Sequence, residues 1–125
     1  MKTEKIKEKY LHYGLEKEDI FKHQHYLIIT RSGIDKIQAA NNIEISFDLI
    51  YNSEDTKCVI IKATAIMGDR IIQTYGEAAP MNNQNAYPVA MAEKRAMSRS
   101  CLKLAGFYEQ GGVFGEDEAD DFKRA

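Results

Sequence analysis

The sequence predicts an α+β fold in which a three-stranded antiparallel β-meander is followed by one long helix packed on it. Alternating apolar and polar residues predict the first strand at residues 43–51. Two more segments rich in β-formers, 57–67 and 70–77, follow after short connections. A long segment of helix formers then lies between Pro88 and Gly106, which favour the first turn and the C-terminal end of a helix, respectively.

The residues before the meander predict N-terminal helices and a short extra strand. Residues 2–12 place apolar and lysine side chains on different sides at helical spacing, and residues 16–22 predict a second short helix. Residues 26–30 are rich in β-formers and predict a short strand. A short helix then follows at residues 33–40, with Ser32 as its N-cap.

The meander rests on the clearest pattern in the sequence. Apolar residues alternate with polar ones in its first strand, as expected of a strand with one buried face. The apolar positions are Ile43, Ile45, Phe47, Leu49 and Tyr51. The continuous apolar run at residues 59–61 predicts a central position for the second strand. Gly68 and Asp69 fit a two-residue hairpin turn with glycine first.

Length and charge predict one domain with an acidic tail. The 125 residues, 44% hydrophobic and 29% charged, suit a single domain, which we assign to residues 1–111. Residues 112–125 sum to a charge of −3, whereas the whole chain carries −2, and we expect this tail to be mobile. No apolar run approaches the roughly 20 residues of a membrane helix, and the charged N-terminus leads into no signal core. We therefore expect a cytoplasmic protein that does not enter a membrane.

Few residues suggest catalysis or metal binding. Cys58 and Cys101 are far apart and fit no metal spacing, so both are expected to be ordinary buried thiols. His23 and His25 form a pair without a third ligand at a suitable spacing, and no phosphate-binding glycine loop is present. Acidic residues on the first meander strand are too few to indicate a two-metal site. We therefore expect no enzyme activity, no metal and no cofactor.

The long helix carries the most informative chemistry. A helical wheel places Arg95, Arg99 and Lys103 four residues apart on one side. The side expected to pack on the sheet contains Ala90, Met97, Cys101, Leu104 and Ala105. Lys94 falls within this apolar sector, so it either extends to the edge or faces a groove or a neighbouring subunit.

A row of three cations matches the spacing of phosphates along a nucleic acid strand. Arginine suits this role because its guanidinium donates two hydrogen bonds at once. Tyr75 and Tyr87 flank the loop before the helix, and Tyr51 ends the first meander strand, so these rings could stack on bases. The alternative is a solvated basic helix face with tyrosines that only pack. On the first interpretation, replacing Arg95 and Arg99 by alanine weakens DNA binding with little loss of folding.

The meander, the polar loop and the helix together resemble a known family. Residues 87–99 read YPVAMAEKRAMSR, and residues 102–107 read LKLAGF. This order resembles the Rad-fifty-two superfamily of single-strand annealing proteins, especially its small phage members, in which a β-β-β-α core ends in such a helix. The similarity covers about half of the chain, residues 43–107. The pair Lys94 and Arg95 looks like the Lys-Arg pair of that family's helix.

The resemblance implies a protein that binds single-stranded DNA and anneals complementary strands without nucleotide hydrolysis, in recombination and repair. It also implies a homo-oligomer, ring or filament, whose groove is lined by Lys94 and Arg95 with Arg99 and Lys103 nearby, and a bacterial or phage-infected cell as the setting. Two alternatives remain open. One is a protein-interaction module that uses the acidic tail and the loop at residues 78–86 to bind a host protein. The other is a metal-dependent nuclease.

Overall fold

The computed structural model describes residues 12–24, 26–55, 57–80, 82–83, 87–107 and 112–118. These residues form two three-stranded sheets and two α-helices. In chain order the elements are a 3-10 turn Lys17–Asp19, β1 Ile20–His23, β2 Tyr26–Ile29, α1 Arg31–Ala40, β3 Glu44–Ser53, β4 Cys58–Met67, β5 Arg70–Ala78, α2 Pro88–Leu104 and β6 Val113–Gly115.

The larger sheet is the predicted meander, with strand order β3-β4-β5 and antiparallel pairing throughout. The central strand β4 buries every second side chain from Val59 to Ala65 against α2. Gly68 has a φ of 61°, as a hairpin turn with glycine first requires. The register of β3 shifts between Leu49 and Tyr51, so a bulge at Ile50 turns Tyr51 to the other face of the sheet. The predicted α+β fold class is confirmed.

Helix α2 lies across the inner face of β4 and β5. Pro88 occupies its first turn, Ala105 is its C-cap, and Gly106 follows with a φ of 81°. Gly76 in β5 is in close contact with the helix backbone, since a Cβ built on it would lie 2.0 Å from the carbonyl oxygen of Ala92. Thr74 Oγ1 donates a hydrogen bond of 2.8 Å to the carbonyl oxygen of Ala96. The helix therefore packs backbone to backbone on the β5 side of the sheet.

The smaller sheet differs from the prediction for residues 16–22. Only Lys17–Asp19 form a helical turn, and the chain then extends into β1, which pairs antiparallel with β2. The Asp19 carboxylate accepts hydrogen bonds from the backbone nitrogen of Glu16, at 2.8 Å, and from Lys36 Nζ, at 2.7 Å. Burial raises the pKa of Asp19, but these two donors outweigh it and hold the pKa below its ordinary value. Pairing with β2 thus replaces the second predicted helix, while residues 2–11 of the first lie outside the described residues.

The cap of α1 also differs from the prediction. Thr30, and not Ser32, is the N-cap, and its Oγ1 accepts a hydrogen bond of 3.1 Å from the backbone nitrogen of Gly33. The helix therefore begins two residues earlier than predicted and directly follows β2. Its apolar face joins the main core with residues from α2 and the segments that flank it. This core contains Ile34, Ile37, Ile43, Cys101, Leu102, Leu104 and Phe107.

The first part of the predicted mobile tail is folded onto the domain. Val113–Gly115 form β6, which pairs in parallel with β2, and residues 116–118 are helical. Val113 and Asp117 are each only 2% exposed. The boundary predicted at residue 112 is therefore wrong for residues 112–118, and residues 119–125 lie outside the described part of the chain. The sequence analysis did not predict β6, because the strand has only three residues and the segment around it is rich in acidic residues.

Candidate nucleic-acid interface

Helix α2 is buried on two sides, which overturns the predicted division into one packed and one basic face. Its inner side contacts β4 and β5, and its other side contacts α1 and β6. Its buried residues are Met91, Ala92, Arg95, Ala96, Ser98, Ser100, Cys101, Leu102 and Leu104. Of the residues predicted to pack, Ala90 is exposed and Met97 half-buried. Met97 nevertheless packs at the edge of the main core, and Ala105 is buried.

Arg95 is a structural residue and is not available to a phosphate in this structure. It is 1% exposed, and its guanidinium donates hydrogen bonds to three backbone carbonyl groups. Nη1 lies 2.8 Å from the oxygen of Glu77, Nη2 contacts the oxygen of Asn82, and Nε lies 3.4 Å from the oxygen of Asp117. One side chain thus joins β5, the loop before α2 and the C-terminal turn. Burial at this position argues against the expectation that Arg95 can be removed with little loss of folding.

Arg99 is partly exposed, at 24% of its side chain, and every donor of its guanidinium is engaged. Its Nη1 donates to the backbone oxygen of Tyr75. Glu77 accepts from Nη1 and Nη2 at 2.9 and 3.0 Å, and Glu118 accepts from Nε and Nη2 at 3.0 and 3.3 Å. Burial alone would lower the pKa of Arg99, but the hydrogen bonds to Glu77 and Glu118 outweigh this effect and hold the pKa above its ordinary value. The same contact with Arg99 lowers the pKa of Glu77. Arg99 is therefore a fixed cation between two carboxylates.

The acidic turn at residues 116–118 supplies one of these carboxylates and is attached to α1. Glu116 Oε1 accepts a hydrogen bond of 3.0 Å from the backbone nitrogen of Arg31. The buried Asp117 carboxylate lies 2.8 Å from Nε of Arg31, whose side chain is 51% exposed. Sequence reasoning assigned these acids to a mobile tail, because nothing in their local pattern shows that the partners are Arg31 and Arg99.

The two predicted lysines of α2 differ in how accessible they are. Lys103 is exposed and Lys94 is half-buried. Within the described ranges, neither lysine forms an ion pair of 4.0 Å or less. The structure therefore separates the predicted cation row into one buried arginine, one paired arginine and two lysines on the surface of α2.

The outer face of the meander brings together residues that sequence reasoning treated separately. Tyr75 on β5 pairs with Lys62 on β4, and Tyr51 on β3 pairs with Ile60, two residues from Lys62 on the same face. Cross-strand neighbours have Cβ atoms about 5 Å apart, and diagonal neighbours about 7–8 Å. Tyr75 is 51% exposed, Tyr51 is 47% exposed and Lys62 is half-buried. We call Tyr51, Lys62 and Tyr75 the aromatic face.

The aromatic face lies next to Arg99 and opposite α2. Arg99 contacts the backbone of Tyr75, so its guanidinium marks the β5 border of this face. Among the described residues, the helices pack on the inner face of the sheet, and the outer face stays open. Lys62 was missed at the sequence level, although the alternation along β4 was the signal that could have identified it. Tyr87, the N-cap residue of α2, is 72% exposed at the opposite end of the helix from Lys103.

The described residues offer little to a metal ion. No group of three or more His, Cys, Asp and Glu side chains within these ranges could hold one. His25 lies outside the described residues, and Glu44 and Asp48 are exposed on β3. Cys101 is fully buried, which raises the pKa of its thiol to about 12, whereas Cys58 is half-buried and so departs from the expectation. No described helix is long and apolar enough to span a membrane.

Comparison with known proteins does not assign the chain to a family. No model of a protein family, no curated protein and no solved structure matches it significantly.

Proposed function

We propose that the protein binds single-stranded DNA and promotes annealing of complementary strands without nucleotide hydrolysis. The observation that carries this proposal is the aromatic face, where the exposed Tyr75 lies directly beside Lys62 on an open sheet surface and the exposed Tyr51 lies diagonally across from it, next to Asp48. Aromatic rings stack on bases of any sequence, and a cation among them suits the phosphate backbone. Residues 43–107 resemble the Rad-fifty-two superfamily, and we propose that the protein is a member of it. This resemblance supports the same function.

The aromatic face also suits annealing, and not only binding. Stacking on Tyr51 and Tyr75 would engage the flat surfaces of the bases and leave their Watson–Crick edges accessible to a second strand. A strand held in this way keeps its bases unpaired and extended, which lowers the entropy that is lost when the complement pairs. No step in this process requires a nucleotide or a metal. We propose that it takes place in the cytoplasm of a bacterial or phage-infected cell.

We further propose that the protein self-associates through β3. Helix α2 covers β4 and β5, whereas β3 is the open edge of the meander and carries exposed apolar side chains. Phe47, Leu49 and Ile50 are 36%, 58% and 50% exposed, respectively. Among the described strands, the ten-residue β3 pairs on one side only, with β4, and such an edge with exposed apolar side chains is a template for pairing with another chain. A second copy of this protein would pair with the β3 edge and cover its apolar side chains. This contact fits the ring or filament that the resemblance implies.

Replacing Tyr75 by alanine is expected to weaken binding to labelled oligothymidylate about tenfold, because base stacking on one ring is worth about 1–3 kcal/mol. Tyr75→Phe should retain the affinity, since the ring face is unchanged. Gln73→Ala is the matched control, because Gln73 is exposed on the same face of β5, two residues away. Fluorescence anisotropy at two salt concentrations measures the affinity, and annealing of two complementary oligonucleotides without nucleotide or metal measures the activity. Equal affinity of Tyr75→Ala and Gln73→Ala would argue against the aromatic face.

Introducing a charge at Leu49 is expected to convert the assembly to a monomer of 14.2 kDa, because Leu49→Asp places a carboxylate in the proposed apolar contact. The control is Ile71→Asp, which adds the same charge at a side chain 64% exposed on the outer face of β5. Size-exclusion chromatography with light scattering gives the mass of each variant. A wild-type protein that is monomeric at micromolar concentration would contradict the proposed contact.

A protein-interaction module is the second candidate, and the exposed apolar side chains of β3 are the observation that favours it. They would suit a partner protein as well as a second copy. The acidic residues 116–118 support it less, because they are engaged with Arg31 and Arg99. Absence of any binding to single strands, together with a monomeric wild type, would make this candidate the better one.

A further inference from the structure

We infer that the acidic turn at residues 116–118 regulates the proposed DNA site, with Glu118 holding Arg99 in place of a DNA phosphate. The inference rests on the proposed function, because it concerns a cation at the border of the aromatic face. Arg99 contacts the backbone of Tyr75, and its guanidinium still has 24% of its surface exposed. A strand stacked on Tyr75 would bring its phosphates towards this border. Arg99 is thus a second cation, after Lys62, that could receive one of them.

The geometry of Glu118 is that of a phosphate substitute. Its two carboxylate oxygens accept from Nε and Nη2 of Arg99 at 3.0 and 3.3 Å. A phosphate binds arginine in the same way, because two oxygens on its phosphorus atom accept from two parallel N–H groups. Because all five donors of Arg99 are occupied, a phosphate can bind there only if one carboxylate leaves.

Glu118 is the carboxylate proposed to leave. Its side chain is 17% exposed, less than the 43% of Glu77, but Glu118 follows β6 and lies outside both sheets, whereas Glu77 is paired within β5. The two residues before it hold that turn on α1. Glu116 binds the backbone nitrogen of Arg31, and the buried Asp117 binds the Arg31 side chain. Rotation of Glu118 away from Arg99 would therefore release the cation while Asp117 keeps the turn on the domain.

The consequence is competition between the chain's own carboxylate and the DNA backbone. The Arg99 and Glu118 side chains keep 24% and 17% of their surface exposed, so solvent and a dissolved polyanion can reach the ion pair. A polyanion can therefore displace it. The displacement lowers the apparent affinity for single strands and adds to the salt dependence of binding, since phosphate contacts release counterions.

The test compares Glu118→Gln with Glu116→Gln in the full chain. Both variants remove one negative charge from the same turn, but Glu116 contacts a backbone nitrogen and not an arginine side chain. Fluorescence anisotropy with labelled oligothymidylate should show affinity raised about threefold to tenfold by Glu118→Gln and less than about twofold by Glu116→Gln. Adding Arg99→Ala to Glu118→Gln should abolish the gain. Thermal unfolding of each variant checks that the fold is retained.

Each other outcome overturns a defined statement. Equal gains in the two glutamine variants would show a general charge effect, and a gain that persists without Arg99 would show a different site. Either result overturns the competition while wild-type binding leaves the proposed function standing. If neither the wild type nor any variant binds single strands, the proposed function fails and the regulation fails with it.

Discussion

Replacing Gly76 by alanine is expected to destabilise the domain by about 3 kcal/mol, because the added methyl group would overlap the backbone of α2. A Cβ at this position would lie 2.0 Å from the carbonyl oxygen of Ala92 and 2.5 Å from the backbone nitrogen of Ala96. Both atoms belong to the backbone in the middle of α2, so no side chain can rotate away. The helix would have to move off β5, and the packing beneath it would be lost.

The cause is steric, so a second glycine provides the control. Gly68 has a φ of 61°, but a Cβ there meets no atom within 4 Å. Gly68→Ala should therefore cost only about 1 kcal/mol, from the left-handed backbone alone. Urea unfolding followed by circular dichroism gives both free energies of unfolding. Similar losses in the two variants would show that α2 adapts to the extra methyl group and that the close contact is not essential.

Replacing Arg95 by alanine is expected to cost about 3 kcal/mol of folding free energy, because it leaves buried carbonyl oxygens without donors and creates a cavity. The carbonyl groups belong to Glu77, Asn82 and Asp117, from three separate segments. Lysine should not restore stability, since one ammonium group lacks the planar fork that reaches divergent acceptors. Chemical denaturation of the two variants and the wild type measures these differences.

Arg99→Ala is the matched comparison, one helical turn along α2. Its ion pairs are partly exposed, so the loss of stability should be only about 1 kcal/mol, while binding to single strands falls. The two arginines thus separate structure from function. If Arg95→Ala folded as well as Arg99→Ala, Arg95 could not be the hub that joins β5, the loop and the C-terminal turn.

The fold was largely predictable because its main pattern is local. Alternation along β3 and the positions of Gly68, Pro88 and Gly106 are visible in the sequence, and each corresponds to an observed strand, turn or helix end. The exceptions are short segments stabilised by distant partners. Ile20–His23 has helix-like apolar spacing but pairs with β2, and the three residues of β6 pair with the same strand. Segments as short as these two, of four and three residues, do not specify a strand without the partners that pair with them.

The candidate site was less predictable, for a geometric reason. A helical wheel gives the angle between Arg95 and Arg99 but not the number of neighbours that surround α2. The acceptors of Arg95 come from residues 13 to 22 positions away, so no local pattern shows that it is buried. The aromatic face needs the register of three strands, because Tyr51 reaches that face only through the bulge at Ile50.

The parallel pairing of β2 with β6 has a consequence for how the protein is made. This pairing joins residues far apart in the chain, such as Leu27 and Val113, and the adjacent contact between Arg31 and Asp117 spans 86 positions. During synthesis, the N-terminal hairpin and α1 emerge long before their last partner, so the edge of β2 stays open on the nascent chain. Contacts of such long range also slow folding, because loop closure precedes the gain in packing. The growing chain therefore leaves this backbone edge of β2 unpaired until β6 is made.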